Sequence, residues 1–294
     1  MRFAIFRRGD VRGTALIEAG VWRGLLATDA RYPGDLDDLM REGESAWGRA
    51  AAVLREAPKM TDEGVVYEPP FSRPGKIICV GLNYSDHTAE THYEQPNYPT
   101  LFARFTTSLI GHGVPIVRPR VSHALDFEGE LVAVVGKAGR HVAKSDALSV
   151  IAGYSIFNDG SLRDFQHKTP QWTVGKNFDG TGAFGPIFVT ADELPPGATG
   201  LKLETRLNGM VVQSSNTDRL IFDVATLVAT ISEAVTLEPG DLIVTGTPSG
   251  IGHSRNPKLY MCPGDVIEVE IESIGLLRNG VVDEMPSRAQ VASA

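Results

Sequence analysis

The sequence predicts an α+β fold dominated by strands, with a small N-terminal domain over residues 1–70 and a larger domain over residues 71–294. Three observations carry that expectation. From Lys76 onward, short apolar runs such as KIICVG, ELVAVVGK, VIAGYSIFND and GDLIVTGTP are separated by Gly, Pro, Asn and Asp. Helical periodicity is confined to a few segments. Regular strand–helix alternation is absent, which disfavours a doubly wound parallel sheet.

The elements follow in order. RFAIFRRG and TALIEAGVWRGLLA read as short strands joined at glycines, a meander. A helix is expected from Asp35 to Arg55, with acidic residues in its first turn and helical spacing of Leu36, Leu39, Trp47, Val53 and Leu54. EPPFSRPGK, with three prolines, reads as a linker. Further helices are expected over SDHTAETHYEQ, SDALSVIAG and DVATLVATISEAV, and Asn208-Gly209 marks a hairpin.

Composition narrows the function. With 42% hydrophobic and 22% charged residues the chain is an ordinary globular protein. A net charge of −8, without a basic stripe, argues against nucleic acid as a partner. No apolar run is long enough to span a bilayer, and MRFAIFRRGD lacks a signal-peptide core, so a cytoplasmic protein is expected. The two cysteines, Cys79 and Cys262, have no CxxC partner, which argues against structural zinc or a disulfide framework.

The most informative stretch is Asp126-Phe-Glu128-Gly-Glu130-Leu, inside the apolar run ALDFEGELVAVVGK. On a strand, residues two apart share a face, so Glu128 and Glu130 would stand side by side among apolar neighbours. Crowded carboxylates in partly buried space repel one another unless a proton or cation intervenes. A hard divalent ion, Mg²⁺, Mn²⁺ or Ca²⁺, is the natural cation. The competing reading is a pair of exposed glutamates on a wet strand face. Asp159, ending the strand of GYSIFNDGSLRDFQ, is the third candidate ligand; as a plain turn residue it would cap the segment after it.

Other residues add chemistry. His87 and Glu90 share a helical face, where the glutamate would orient the imidazole as a general base; an exposed pair is the alternative. Lys176 precedes a Gly-rich loop and would hold a substrate carboxylate or stabilise an enolate, unless it is a surface ammonium. Arg163, Asp164 and Gln166 would line the same cleft, although an Arg163–Asp164 surface pair explains two of them. Thr245 to Gly252, in TGTPSGIG, offer backbone N–H groups to an anion, best a carboxylate. This segment is neither a P-loop nor a dinucleotide fingerprint.

Taken in order, IICVGLNYSDHTAE, DFEGELVAVVGK, GYSIFNDGSLRDFQ, WTVGKNFDGTGAFGP, LNGMVVQ and GDLIVTGTPSGIG resemble the fumarylacetoacetate hydrolase family from about Lys76 to Asn279. The resemblance implies a β-rich mixed-sheet roll assembled as a homodimer. It implies Mg²⁺ or Mn²⁺, with Ca²⁺ as a further choice, on Glu128, Glu130 and Asp159. It implies catalysis by His87, Glu90 and Lys176, and substrate contacts from Gln166 and Thr247. Arg104 stands where relatives carry a lysine in a substrate segment, and Gly160 stands where they often carry Val or Ile; both departures bear on substrate choice. Arg104 and Arg163 would join Gln166 and Thr247 in binding the substrate, which the resemblance implies is a small 2-oxo acid. The implied reaction is hydrolysis of a C–C bond in an acylpyruvate, giving pyruvate and a carboxylic acid, with His87 deprotonating the attacking water. An oxaloacetate-type decarboxylase, a 2-hydroxydienoate isomerase and a non-catalytic small-acid binding protein are the alternatives.

Overall fold

The structure, a computed structural model, describes residues 1–61, 63–85 and 97–285. Two neighbouring strands, Gly129–Val135 and Ile151–Asp159, are buried along their whole length, which is why they read as continuous apolar runs. Their register is antiparallel, Glu130 opposite Phe157 and Ala133 opposite Tyr154. Leu131, Ala133 and Val135 pack on one face, with Leu227 and Ile231 of the helix Val224–Ala234 and with Val269 and Leu277 of a second sheet. Val132 and Val134 pack on the other, with Trp47, Ala51 and Leu54 of the N-terminal helices.

Among the described residues the main sheet has twelve strands and is mixed. Leu242–Val244 runs parallel to Ile77–Gly81 and antiparallel to Gly129–Val135. The expected meander is present as Arg2–Arg8, Val11–Glu18 and Val21–Leu26. It joins the main sheet, because Phe3 pairs with Phe188. A five-stranded sheet contains the hairpin Lys202–Leu207 and Met210–Asn216. Its turn residues Asn208 and Gly209 both have positive φ (53° and 79°), as an Asn-Gly hairpin requires. No helix of the described residues is long and apolar enough to cross a membrane.

Two local expectations change. The helix expected over Asp35–Arg55 is two helices, Leu36–Glu42 and Glu44–Arg55, broken at Gly43, whose φ of 92° lies outside the helical region. Asp35 caps the first by accepting from the Asp38 amide at 3.0 Å. SDALSVIAG is a single 3₁₀ turn, Ala147–Val150, that runs straight into the strand Ile151–Asp159. The β-branched Val150 and Ile151 suit the strand. At Gly153 that strand lies so close to its neighbour that an added Cβ would sit 2.1 Å from the Val189 carbonyl.

Candidate active site and metal centre

The alternation rule places Glu130 on the sheet face of Val132 and Val134, and the structure adds Asp159 from the end of the neighbouring strand, on the face of Phe157. Glu128 comes from the break between the strands Leu125–Asp126 and Gly129–Val135. Two contacts hold it there: its amide donates to Asn158 Oδ1 at 2.9 Å, and its carbonyl accepts from the Asp159 amide at 2.8 Å. One oxygen from each of Glu128, Glu130 and Asp159 lies within 4.8 Å of the others, and all three residues are buried.

Buried carboxylates this close are costly, and the surroundings show how the cost is met. Lys176, itself buried, donates to Glu128 Oε2 at 2.7 Å and to Asp159 Oδ2 at 2.6 Å. Burial works against its charge, but Asp159 and Glu128 more than offset that, so its pKa stays raised. Arg163 pairs through Nε with Asp126 at 2.8 Å and through Nη2 with Glu128 at 2.7 Å, and its Nη1 donates to Gln166 Oε1 at 2.9 Å. The guanidinium of Arg104 contacts Asp159 Oδ1 directly, donates to Thr181 Oγ1 at 2.9 Å and to the Gly160 carbonyl at 3.2 Å, and is buried. Gly182 makes room for it: a Cβ there would meet Arg104 Nη2 at 2.7 Å.

Among the described residues, Glu130 is the acid of the three without a cationic partner of its own. Burial, then Asp159 and Glu128, push its pKa well above the carboxylate range; Lys176 and the Gly246 amide oppose this. That amide donates to Glu130 Oε2 at 2.5 Å from a residue at φ 99°, where a Cβ would meet Asn83 and the Val80 carbonyl at 2.9 Å. An all-oxygen, acidic and buried donor set suits a hard divalent cation, and the high pKa of Glu130 marks the positive charge the cluster lacks. The three residues therefore fit a Mg²⁺ or Mn²⁺ ion.

The TGTPSGIG segment does hold carboxylates, but those in view are the protein's own. Besides Gly246 on Glu130, the Gly252 and His253 amides each donate to Asp126 at 2.8 Å. Thr247 is engaged twice, accepting from Gln213 Nε2 at 2.8 Å and donating to the Gly129 carbonyl at 3.1 Å. A Cβ on Gly252 would sit 1.7 Å from the Leu259 carbonyl and 2.6 Å from Asp126 Oδ1. Gly252→Ala should therefore cost about 1–3 kcal/mol of stability, read from the urea midpoint; an unshifted midpoint would show that the loop can move aside.

The surface pair considered for Arg163 and Asp164 does not form. Arg163 turns inward to Asp126 and Glu128, whereas Asp164 accepts from Ser122 Oγ at 2.7 Å. Sequence reasoning had no role for Asp126, Asn158 or Gln213, although the spacing of Asp126 two before Glu128 was a signal for the first. His87 and Glu90 lie outside the described residues.

A family model described as fumarylacetoacetate (FAA) hydrolase C-terminal matches residues 76–282. The chain belongs to the fumarylacetoacetate hydrolase family. The mitochondrial oxaloacetate tautomerase Fahd2a of Rattus norvegicus is 37% identical over 271 residues, covering 90% of this chain and 86% of that protein. Its counterpart in Homo sapiens, FAHD2A, is 37% identical over 96% of this chain and 92% of its own length. The solved fumarylacetoacetate hydrolase of Exiguobacterium antarcticum superposes with a TM-score of 0.85 at 36% identity, covering 97% of this chain and 100% of that one. The maleylpyruvate hydrolase of Sphingobium sp. SYK-6, solved with manganese(II) and pyruvate, gives a TM-score of 0.80 at 27% identity, with 97% and 100% covered. The β-rich α+β architecture is thus the family's, and the relatives of this chain include enzymes that act on small organic acids.

Proposed function

We propose that this protein is a divalent-metal-dependent enzyme that carries a small 2-oxo acid between its keto and enol forms, with an oxaloacetate-like acid as substrate. The buried triad of Glu128, Glu130 and Asp159 carries the reading, because the cluster's chemistry calls for a hard cation. The near full-length similarity to oxaloacetate tautomerases favours tautomerisation over the other reactions open to the family. When bound, the ion would supply positive charge against which the carboxylate and 2-oxo oxygens of the substrate are held.

The chain's own groups complete the arrangement. Lys176 spends two of its three N–H donors on Glu128 and Asp159, leaving one for a substrate oxygen that gains negative charge. Arg163 occupies Gln166 Oε1, so the amide nitrogen of Gln166 is the end presented as a donor. Arg104 has its fork on Asp159, Gly160 and Thr181, so in this reading it positions a metal ligand rather than touching substrate. Keto–enol exchange moves one proton from carbon to oxygen, and His87, oriented by Glu90, supplies the base. The same reading carries a homodimer, checked by a sedimentation mass near twice 31.7 kDa.

C–C hydrolysis of an acylpyruvate is the second reading, favoured by the solved maleylpyruvate hydrolase with its bound manganese and pyruvate. His87→Ala separates base chemistry from metal binding. It should abolish turnover of both oxaloacetate and an acylpyruvate while leaving Mn²⁺ affinity within about twofold, since the three acids and the hydrogen bonds that support them are untouched. Undiminished turnover in this variant would remove the dyad from the mechanism.

A further inference from the structure

Beside the Arg163–Gln166 pair lies a group of donors that the reading above does not use. The His253 amide rests on Asp126, the partner of Arg163, and His167 directly follows Gln166. The two imidazoles face each other with centroids 5.2 Å apart and planes tilted by 32°. Tyr260 Oη lies 2.8 Å from His253 Nδ1, and Lys258 Nζ lies 3.1 Å from the same atom. Lys258 Nζ also lies 3.3 Å from His253 Nε2, so the ammonium can donate to either nitrogen of the ring, and the hydroxyl of Tyr260 can donate to or accept from Nδ1. Half-burial, then Arg163, Lys258 and His167, hold the His253 pKa down to about 4, so the ring is neutral near pH 7.

Among the described residues, the charge of Lys258 has no carboxylate paired with it, and its ammonium leans on a neutral ring. The acids nearby are committed elsewhere: Asp126 to Arg163 and two backbone amides, Asp164 to Ser122 and the Phe165 amide. Arg163 and Lys176, whose charges reach His167, belong to the metal-centre network. A lysine, an imidazole and a phenol thus lie together beside Asp126, the partner of Arg163, and among the described residues no carboxylate pairs with that lysine.

We infer that Lys258, His253 and Tyr260 form a distal subsite for a second anionic group of the substrate, so that the enzyme selects 2-oxo dicarboxylates over 2-oxo monocarboxylates. The inference rests on the proposed function for the other end of the substrate, where the 2-oxo acid group meets the metal. A carboxylate at the distal end would receive a charge-assisted hydrogen bond from Lys258 and a neutral one from the phenol, with the imidazole beside them.

The test uses the full chain loaded with Mn²⁺ and reads dissociation constants by calorimetry. Oxalate probes the metal end alone, and 2-oxoglutarate carries the additional carboxylate. In Lys258→Met, 2-oxoglutarate should bind about tenfold more weakly while oxalate is unchanged, and Lys258→Arg should restore most of the loss. Lys258 is exposed, so the variant should fold, which an unshifted melting temperature checks. Equal weakening of both ligands, or of neither, would overturn the subsite while leaving the proposed function in place. Failure of oxalate to bind the Mn²⁺-treated wild-type protein would overturn both.

Discussion

Asp159→Asn should lower Mn²⁺ affinity by at least about a hundredfold and turnover of a 2-oxo acid by a similar factor, because even supporting residues of metal ligands typically contribute about 10–100-fold. The substitution keeps the shape of the side chain. The amide oxygen can still accept from Arg104, and the backbone contacts of Asp159 to Glu128 and Ser161 remain. What disappears is a negative charge facing the triad, together with the carboxylate that Lys176 shares with Glu128. The melting temperature should fall as well, because Arg104 and Lys176 lose part of a buried partner. Calorimetry is therefore read well below the melt, where the variant is folded and the loss of metal binding stands apart from the loss of stability. Unchanged Mn²⁺ affinity in this variant would show that Asp159 is a structural acid only.

Arg163→Met is the change with the largest expected effect on stability. It removes the partner of Asp126 and one partner of Glu128, leaving buried carboxylates short of positive charge. Breaking a buried pair from one side costs about 3–5 kcal/mol, which lowers the melting temperature by on the order of 10 °C in a chain of this size. Burial opposes the charge of Arg163, but Glu128 and Asp126 raise its pKa, so the guanidinium stays charged throughout the working range. Arg163→Lys should recover only part of the loss, because one ammonium cannot span Asp126, Glu128 and Gln166 as the planar fork does. Arg206 provides the contrast. It pairs with Glu204, Glu268 and Glu270 near the surface, and Arg206→Met should cost less than about 1 kcal/mol. A loss at Arg163 no larger than that at Arg206 would mean that Asp126 and Glu128 find other partners or take up protons.

The site was legible in the sequence where it depends on strand periodicity. Glu130 lies on a continuous apolar run that reads as a strand, so its face follows from the chain. Glu128 instead stands in the break before that strand, held by Asn158 and Asp159, which periodicity does not reveal. Asp159 was legible as the end of a strand, although nothing local says that this strand lies beside the first. The supporting contacts were hidden for a different reason. Arg104 reaches Asp159 across 55 positions and the Gly252 amide reaches Asp126 across 126, and no spacing rule speaks to such pairs. Conflicts between local signals account for the misread elements. The pattern of Asp35 to Arg55 is helical at both ends, yet Gly43 at φ 92° breaks it, and the β-branched Val150-Ile151 pair turns SDALSVIAG into a strand entry.

The central claim is that the three clustered acids act by holding a divalent ion. The most direct measurement is the rate of oxaloacetate keto–enol exchange by protein stripped with a chelator and then titrated with Mg²⁺ or Mn²⁺. The account predicts no catalysis above the protein-free rate before addition, and saturable recovery with one ion per chain. Catalysis that persists undiminished in the stripped protein would contradict it.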